Sequence, residues 1–327
     1  MVPTRPLGQS GIEASVVILG TWAIGGWMWG GTEEDESIKA IHASIDAGLN
    51  CIDTAPIYGF GESEEIVGKA IKGKRDNLVI ATKCGMVWDR TEGDHFFDSD
   101  GKSIYLCNNP DAVRNDVENS LRRLGIDTID LLQTHWQETT TPIEDTMATL
   151  MDLKKEGKIR AIGVCNATSA QMKQYNAAGT LDTDQEKYSM IDRDIESDQL
   201  PYCRENNMAV LAYSPLALGL LTGKVTQDRE FPEGDLRKDN PRFTPENRQT
   251  VNNMLKEFEP IQAQHQLTTA QLVIAWTIHQ PGLTHALVGA RNPHQAIENA
   301  KAASVQFDDA ELETLNQIIR KHAPMIT

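Results

Sequence analysis

Residues 129–164, IDLLQTHWQETTTPIEDTMATLMDLKKEGKIRAIGV, are the segment from which the fold is most clearly predicted. It contains two apolar runs of strand length, Ile129 to His135 and Ile159 to Val164. A helical pattern lies between them, and Thr141-Pro142-Ile143-Glu144 reads as a capping box at its start. A strand, a helix and a second strand in succession predict a parallel pair joined by a right-handed crossover.

The same alternation extends along the whole chain. Six further strand candidates are Val16 to Gly20, Cys51 to Thr54, Leu78 to Lys83, Thr183 to Tyr188, Val210 to Tyr213 and His285 to Val288. Helical patterns separate almost all of them, with start signals at Asn109-Pro110, Thr268-Thr269-Ala270-Gln271 and Asn292-Pro293. Eight such units predict a closed (β/α)8 TIM barrel of the α/β class, and a doubly wound open sheet is the alternative.

Four segments lie outside the repeating unit. A hairpin pattern at residues 6–11 precedes the first strand, and a helical pattern from Asp308 to His322 follows the last unit. The connections Cys84 to Asn109, which is rich in aromatic residues, and Ser214 to Pro245 are unusually long and follow strand ends, where barrel enzymes build their sites. We expect one domain over residues 1–327, with an N-terminal β-hairpin and an appended C-terminal helix.

The composition restricts the partners and the location. The 327 residues carry 31 basic and 47 acidic side chains, a net charge of −16, so nucleic acid is not an expected partner. Residues 14–32 are uncharged, but their glycines make a poor membrane helix, and we expect neither a membrane span nor a secretory signal. Five widely spaced cysteines without a Cys-x-x-Cys pair favour a reducing compartment, so a cytoplasmic location is expected.

Two glycine motifs resemble phosphate sites and fail on their chemistry. In Gly59-Phe60-Gly61-Glu62-Ser63-Glu64 a carboxylate replaces the third glycine of a dinucleotide fingerprint and would repel a pyrophosphate. Gly219 to Lys224 is one residue short of a phosphate loop, and Val225 replaces the required hydroxyl. The histidines and cysteines show no zinc-site spacing, so no metal is predicted.

Four polar residues end consecutive predicted strands or follow them closely. Asp53 ends the second strand, Tyr58 lies five residues later, Lys83 ends the third and His135 ends the fourth. Each fits a structural role when taken alone, but neighbouring strand ends meet at one rim of a barrel, so the four are expected to converge. An ammonium beside a phenol lowers the pKa of the phenol, and a carboxylate keeps the ammonium charged. We therefore expect Tyr58 to be a general acid, with His135 donating a hydrogen bond to a carbonyl oxygen.

Four segments together resemble the aldo-keto reductase superfamily. They are Ile52-Asp53-Thr54-Ala55-Pro56-Ile57-Tyr58-Gly59, Thr82-Lys83, Thr134-His135-Trp136 and Gly157-Lys158-Ile159-Arg160-Ala161-Ile162-Gly163-Val164-Cys165-Asn166. The resemblance runs from about Pro6 to the C-terminal helix and is closest to the bacterial branch of general stress reductases and sugar or inositol dehydrogenases. It implies that Tyr58 is the general acid/base, that Lys83 and Asp53 tune it, and that His135 orients the carbonyl.

The resemblance also implies a nicotinamide cofactor, NADP(H), extended across the barrel mouth without a Rossmann motif. Its implied binding positions are Gly20, Thr21, Trp22, Asp53, Asn166, Gln185, Tyr213, Ser214, Leu216, Gly219, Leu221, Gly223, Lys224, Gly289, Arg291, Gln295, Glu298 and Asn299. Among them Asn166 and Gln185 would hold the carboxamide, and Tyr213 would stack on the ring. Arg291, close to a predicted helix start, is the reason to prefer NADP(H) over NAD(H), because a guanidinium suits an additional phosphate.

The expected substrate is a small carbonyl compound or a sugar. The predicted pocket residues are Trp22, Tyr58, Trp88, His135 and Trp136. Two residues depart from the family pattern: Cys165 stands where serine is usual, and Gln137, at the predicted pocket edge, stands where proline is common. Three alternatives remain: an NAD-preferring sugar or polyol dehydrogenase, a cofactor-binding regulatory subunit, and an aldolase-like barrel in which Lys83 forms a Schiff base. The oligomeric state is not predicted.

Overall fold

The computed structural model describes residues 2–326 and contains thirteen strands and eleven α-helices within that range. The strands are β1 (Thr4–Pro6), β2 (Glu13–Ser15), β3 (Val17–Gly20), β4 (Cys51–Asp53), β5 (Val79–Cys84), β6 (Met86–Val87), β7 (Asp94–Ser99), β8 (Lys102–Leu106), β9 (Ile129–Thr134), β10 (Ile159–Cys165), β11 (Thr183–Lys187), β12 (Ala209–Tyr213) and β13 (His285–Gly289). The helices are α1 (Glu34–Asp46), α2 (Glu62–Ile71), α3 (Pro110–Leu124), α4 (Ile143–Lys155), α5 (Ser169–Ala178), α6 (Gln199–Glu205), α7 (Pro245–Lys256), α8 (Glu259–His265), α9 (Thr269–Ile278), α10 (Pro293–Ala302) and α11 (Asp309–His322). None of the helices between residues 2 and 326 has the length and apolar character that a membrane crossing requires.

Eight parallel strands close into a barrel. Around the ring they are β3, β4, β5, β9, β10, β11, β12 and β13, and β13 pairs back onto β3 through Val288 and Leu19. Each lies within one residue of its predicted bounds at both ends. The predicted (β/α)8 fold is confirmed, and the open doubly wound sheet is wrong.

The predicted terminal elements are present. Strands β1 and β2 form an antiparallel hairpin that brings Leu7 into the apolar lower interior of the barrel. Helix α11 follows the last barrel unit and begins at a capping box formed by Asp308 and Glu311. The hairpin fills one end of the barrel, so the site lies at the other end.

Side-chain caps decide where several helices begin. The side chains of Asn109 and Asn292 cap α3 and α10, and Thr268 forms the predicted capping box of α9. The predicted box at Thr141 is wrong, because α4 begins only at Ile143 with Pro142 at the cap position and no side-chain cap. The Glu138 carboxylate instead accepts from the backbone amides of Thr140 and Thr141.

The two long connections differ in structure. The first contains β6, β7 and β8, which form a three-stranded antiparallel sheet where the sequence predicts only a long loop. Its hairpin turns at Asp100-Gly101, both with left-handed backbone (φ 50° and 72°), which is a common hairpin signal. The second connection, 214–245, has only short turns of helix.

The interior of the barrel changes from apolar to polar toward the C-terminal strand ends. Side chains alternate between inside and outside along a barrel strand. The lower interior holds the apolar residues Ile18, Cys51, Val79, Leu131, Ala161 and Leu211. Further along β4, β5, β9 and β11, buried polar residues follow: Asp53, Lys83, Gln133 and Gln185. These residues form the floor of the site.

Candidate active site

A cavity of about 640 Å³ lies at the C-terminal ends of the barrel strands. Tyr58, His135 and Trp136 line one end, and Gln295 and Glu298 line the other. Its walls come from the loop after β3 and from the two long connections. This is the face on which barrel enzymes carry their sites.

Lys83 connects the predicted catalytic residues. Its Nζ atom donates to Asp53 Oδ1 (2.5 Å), to the Thr54 carbonyl (2.9 Å) and to the Tyr58 hydroxyl oxygen (3.3 Å). The His135 ring stands edge-on to the Tyr58 ring with centroids 5.8 Å apart. The structure therefore brings Asp53, Tyr58, Lys83 and His135 together at one rim.

The protonation states follow from burial and from the Lys83 charge. Burial raises the pKa of Tyr58 to about 12, although the Lys83 ammonium acts to lower it. The expectation of a lowered Tyr58 pKa is therefore wrong, because desolvation outweighs the ammonium. Burial alone would lower the pKa of Lys83, but the Asp53 charge raises it above its ordinary value. Burial, and to a smaller extent the charge of Lys83, hold the pKa of His135 well below its usual range. At neutral pH Tyr58 is therefore protonated, Lys83 is charged and His135 is neutral.

Amide side chains occupy the second oxygen of the Asp53 carboxylate. Gln185 Nε2 donates to Asp53 Oδ2 (2.9 Å), and Gln133 Nε2 donates to the same atom (3.2 Å). Gln185 also lines the cavity, as its predicted cofactor role requires. Gln133 was not singled out from the sequence, although the alternation along β9 places it on the same side as Leu131 and His135.

Asn166 and Tyr213, both predicted cofactor residues, line the cavity and contact each other. Asn166 has left-handed backbone (φ 54°), and its Nδ2 donates to the His135 carbonyl (3.0 Å). The Tyr213 hydroxyl donates to Asn166 Oδ1 (2.8 Å). The side chains of Asn166 and Tyr213 and the backbone of His135 thus form one hydrogen-bonded wall of the cavity.

Gln137 lies behind this wall and does not line the cavity, contrary to its predicted position at the pocket edge. Its Nε2 donates to Thr134 Oγ1 (3.1 Å) and to the Cys165 carbonyl (3.1 Å), and its Oε1 accepts from the Tyr175 hydroxyl (2.9 Å). The Cys165 thiol is buried. Of the two departures from the family pattern, Gln137 therefore supports the wall from behind, whereas the Cys165 thiol interacts electrostatically with Lys83 and Asp53.

The segment after β12 carries the predicted pyrophosphate residues. Those that line the cavity are Ser214, Leu216, Gly219 and Lys224, whereas Leu221 and Gly223 do not. Ala217, Leu218 and Gly219 have left-handed backbone in succession (φ 46°, 56° and 92°). Strained backbone of this kind is concentrated at ligand sites.

The predicted adenosine-end residues also line the cavity: Gly289, Arg291, Gln295, Glu298 and Asn299. Arg291 Nη2 donates to the Gly31 carbonyl (3.0 Å), which links the loop after β13 to the loop after β3. Lys224 Nζ lies 3.3 Å from Glu298 Oε2. At the near end Gly20, Thr21 and Trp22 also line the cavity.

The charges along the cavity fit an anionic dinucleotide. Four basic side chains line it: Lys224, Arg229, Arg237 and Arg291. The acidic lining residues are Glu298, paired with Lys224, and Asp53, paired with Lys83. Arg237 is also paired, with Asp235, so the excess of positive charge comes from Arg229 and Arg291. In a chain of net charge −16, this local excess is suited to phosphates.

Aromatic side chains enclose the catalytic end. Trp22 stacks on Tyr58 (centroids 6.3 Å apart), Trp27 stacks on Phe97 (6.0 Å), and Phe96 contacts Trp136 (5.4 Å). Trp88, a predicted pocket residue, does not line the cavity and packs against Phe60 instead. The predicted residues Trp22 and Trp136 thus line the cavity, and β7 adds Phe96 and Phe97, whose inward positions could be assigned only once the pairing of β7 was known.

The chain is similar to characterised proteins over nearly its whole length. Residues 16–320 match the model of the Aldo/keto reductase family. The NADH-specific methylglyoxal reductase of Escherichia coli (strain K12) is 42% identical over 319 residues, which cover 96% of this chain and 97% of that protein. Aldo-keto reductase YhdN of Bacillus subtilis (strain 168) is 39% identical over 316 residues, which cover 96% and 92%.

A solved structure has the same architecture. The glycerol dehydrogenase AKR11B4 from Gluconobacter oxydans matches with a TM-score of 0.88 and 39% identity, and the match covers 98% of this chain and 96% of that one. Sequence and architecture therefore agree with the resemblance seen in the sequence, and the chain belongs to the aldo/keto reductase family of oxidoreductases.

Proposed function

We propose that the protein is a cytoplasmic, nicotinamide-dependent carbonyl reductase of one domain in which Tyr58 delivers the proton. The observation that carries this proposal is the contact of the Tyr58 hydroxyl with the buried Lys83 ammonium, 3.3 Å away, at a cavity lined by His135. The cytoplasmic location rests on five buried, widely spaced thiols, which are typical of a reducing compartment.

Each catalytic side chain contributes a different step to the reduction of a carbonyl group. When bound, a reduced nicotinamide supplies a hydride to the carbonyl carbon. Tyr58 transfers its proton to the oxygen as negative charge develops there, and the Lys83 ammonium stabilises the phenolate that remains. The neutral His135 ring donates a hydrogen bond that orients the same oxygen. In the reverse direction the phenolate accepts the alcohol proton.

The protonation state of Tyr58 favours reduction at neutral pH. A phenol with a pKa of about 12 is almost entirely protonated at pH 7, which is the form that a general acid needs. Oxidation of an alcohol needs the phenolate, which becomes abundant only at higher pH. We therefore expect the oxidative rate to rise with pH more steeply than the reductive rate.

The residues that would hold the cofactor form a continuous line along the cavity. Asn166 and Gln185 would hold the carboxamide, Tyr213 would stack on the ring, and the segment from Ser214 to Lys224 would cover the phosphates. Arg291 at the far end supports NADP(H), because a guanidinium can bind an additional phosphate.

A second candidate is an NAD(H)-dependent enzyme of the same site. It is favoured by the relative named as NADH-specific, and by the engagement of Arg291 with the Gly31 carbonyl, which removes one donor from a phosphate. It is also favoured by Asp235, because this carboxylate interacts with the charge of Arg291 that would otherwise attract a phosphate. Burial acts to raise the pKa of Asp235, but hydrogen bonds from Arg237 lower it overall.

For the substrate we propose a small carbonyl compound. One relative is named for methylglyoxal and one structural neighbour for glycerol, so short oxygenated aldehydes and ketones are the first compounds to assay. A Schiff-base mechanism is disfavoured by the side chain itself. Lys83 is 1% exposed and paired with Asp53, and a protonated, enclosed amine is not a nucleophile.

The test combines a binding titration with one substitution. We would titrate the protein with NADPH and with NADH by tryptophan fluorescence, and assay a panel of aldehydes and ketones. Tyr58→Phe is expected to lower kcat by about 10²- to 10⁴-fold with nearly unchanged cofactor Kd. Tyr105→Phe, at a half-buried tyrosine away from the cavity, is the control and should keep full activity.

Full activity in Tyr58→Phe would disprove the role of Tyr58. Tight cofactor binding without turnover of any carbonyl compound would favour a regulatory subunit. Binding of neither dinucleotide would overturn the oxidoreductase assignment for this site.

A further inference from the structure

Gln133 is a fully buried side chain next to the catalytic candidates. Its Nε2 donates to Asp53 Oδ2 (3.2 Å), while its Oε1 accepts from Gln185 Nε2 (3.2 Å). Gln185 Nε2 also donates to Asp53 Oδ2 (2.9 Å). Gln133 therefore connects the carboxylate that pairs with Lys83 to a side chain that lines the cavity.

The neighbouring strand leaves room for this amide. Gly163 on β10 lies between Gln133 on β9 and Thr183 on β11 in the strand register. A Cβ atom at position 163 would lie 2.9 Å from the Gln133 Cγ atom and 2.1 Å from Thr183 Oγ1. A side chain at position 163 would thus collide with the path that the glutamine follows across the barrel.

The chemistry of the carboxylate explains why an amide is suited to this place. Lys83 occupies Oδ1 of Asp53, and Oδ2 lies in an interior from which water is excluded. A carboxylate oxygen without a donor in such a place is costly. A neutral amide supplies a donor without adding a second charge that would compete for Asp53, so Lys83 keeps the carboxylate as its ion-pair partner.

We propose that Gln133 is a positioning residue that fixes the orientation of the Asp53 carboxylate, and through it Lys83 and Tyr58, for proton transfer. This rests on the proposed function of Tyr58. Without the amide of Gln133, Oδ2 keeps only the donor from Gln185, and the orientation of the carboxylate is held less firmly. The Lys83 ammonium then loses part of the charge interaction that raises its pKa.

The first test is Gln133→Met, which keeps the length of the side chain and removes its hydrogen bonds. We expect kcat to fall about tenfold, which is the lower end for one hydrogen bond to a charged group, with little change in substrate KM. The alkaline limb of the kcat profile should move to lower pH, because Lys83 with a weaker partner loses its proton more easily. A crystal structure of the variant should show the Asp53 carboxylate rotated away from Lys83.

Gln280→Met is the matched control. Gln280 is also buried, and its Nε2 donates to the Trp276 carbonyl (3.1 Å), away from the cavity. This variant should lose thermal stability but keep the kcat and the alkaline limb of the wild type. A purely structural contribution of a buried glutamine would appear equally in both variants.

Gln133→Glu is a second variant of nearly the same shape. At high pH the introduced carboxylate repels Asp53, and at lower pH its protonated form donates to Oδ2 as the amide does. Activity relative to the wild type should therefore recover as the pH falls, which a packing defect would not produce.

The outcomes separate this proposal from the proposed function. Wild-type kcat, an unshifted alkaline limb and an unrotated Asp53 in Gln133→Met would overturn the role of Gln133 while leaving Tyr58 as the acid. If the wild type reduces no carbonyl compound, the proposed function fails, and the crystal structure of Gln133→Met alone decides whether Gln133 orients Asp53.

Discussion

The Lys83 ammonium and the Asp53 carboxylate form an ion pair of 2.5 Å, and neither side chain is more than 1% exposed. Removing two charges from water costs several kcal/mol per ion, and their attraction offsets this only when further hydrogen bonds complete the arrangement. Here Thr54 accepts from Lys83, and two glutamines donate to Asp53. A pair of this kind is weak evidence of stabilisation, and its position beside Tyr58 indicates a role in the chemistry.

Breaking this pair should destabilise the fold. Lys83→Met leaves Asp53 buried without its partner and is expected to lower the free energy of unfolding by about 3–5 kcal/mol. The double variant Asp53→Asn with Lys83→Met removes both charges and should regain much of the stability without regaining turnover. Urea unfolding and kcat measure the two effects. A Lys83→Met protein as stable as the wild type would contradict this cost of leaving Asp53 buried without its partner.

Gln137 supports the wall of Asn166, Tyr213 and His135 from behind, so the loss of its side chain should weaken cofactor binding. Gln137→Ala removes three hydrogen bonds, which join it to Thr134 at the end of β9, to Cys165 at the end of β10 and to Tyr175 in α5. Asn166 directly follows Cys165. We expect a several-fold higher cofactor Kd and a loss of about 1–3 kcal/mol of stability, at about 1 kcal/mol per bond. Gln249→Ala, at a half-buried glutamine of α7 away from the cavity, should change neither. An unchanged Kd in Gln137→Ala would separate this cluster from the cofactor site.

Arg291 should decide between the two dinucleotides if it binds a phosphate. In an NADP(H)-dependent enzyme, Arg291→Ala raises the Kd for NADPH by about 10- to 100-fold and leaves that for NADH nearly unchanged, since charge-assisted hydrogen bonds contribute about 1.5–3 kcal/mol. Arg320→Ala, at an exposed arginine of α11, is the control. Equal increases for both cofactors would instead mean that Arg291 acts by holding the Gly31 loop.

The contact between Trp27 and Phe97 should set the size of the catalytic end of the cavity, where the substrate is expected to bind. Trp27 Nε1 also donates to Ser99 Oγ (3.1 Å), so β7 and the loop after β3 hold each other in place. Phe97→Ala enlarges the cavity, and we expect a higher KM for short aldehydes together with improved turnover of bulkier ones. Trp88→Phe, outside the cavity lining, should leave this preference unchanged. An unaltered substrate profile in Phe97→Ala would place the substrate elsewhere in the cavity.

His285 should make the fold sensitive to acid. Burial lowers its pKa from 6.5 to about 4 in the folded chain, so between these values the unfolded chain binds the proton and the folded chain does not. Stability from this group is complete above pH 6.5 and is lost as the pH falls through about 4, a change of about 3 kcal/mol.

The measurement for His285 compares unfolding of the wild type and of His285→Gln at pH 7 and pH 4. Asp116, whose pKa burial raises to about 7, titrates in the same window with the opposite sign, but its contribution cancels between the two proteins. Equal losses of stability in both proteins would contradict a neutral, buried His285.

The strands and the principal site residues were accessible from the sequence for one physical reason. Barrel strands are short apolar runs separated by amphipathic helices, and a polar residue at the end of such a run stands out against it. Asp53, Lys83 and His135 stand at such ends, and Tyr58 lies close behind Asp53. The antiparallel sheet in the first long connection was missed because the pattern of β7, with Phe96 and Phe97 adjacent, does not alternate cleanly.

The closed barrel, the face that carries the site and the residues that meet there could be predicted from the amino-acid sequence, because the periods of strand and helix are local properties. The protonation state of Tyr58 depends on the folded chain, since desolvation depends on everything that surrounds the phenol. The position of Gln137 behind the wall, and the contact of Gln133 with Asp53, which lies 80 residues away along the chain, depend on it as well. These contacts cross the barrel between strands, and no local pattern records which side chains will meet across it.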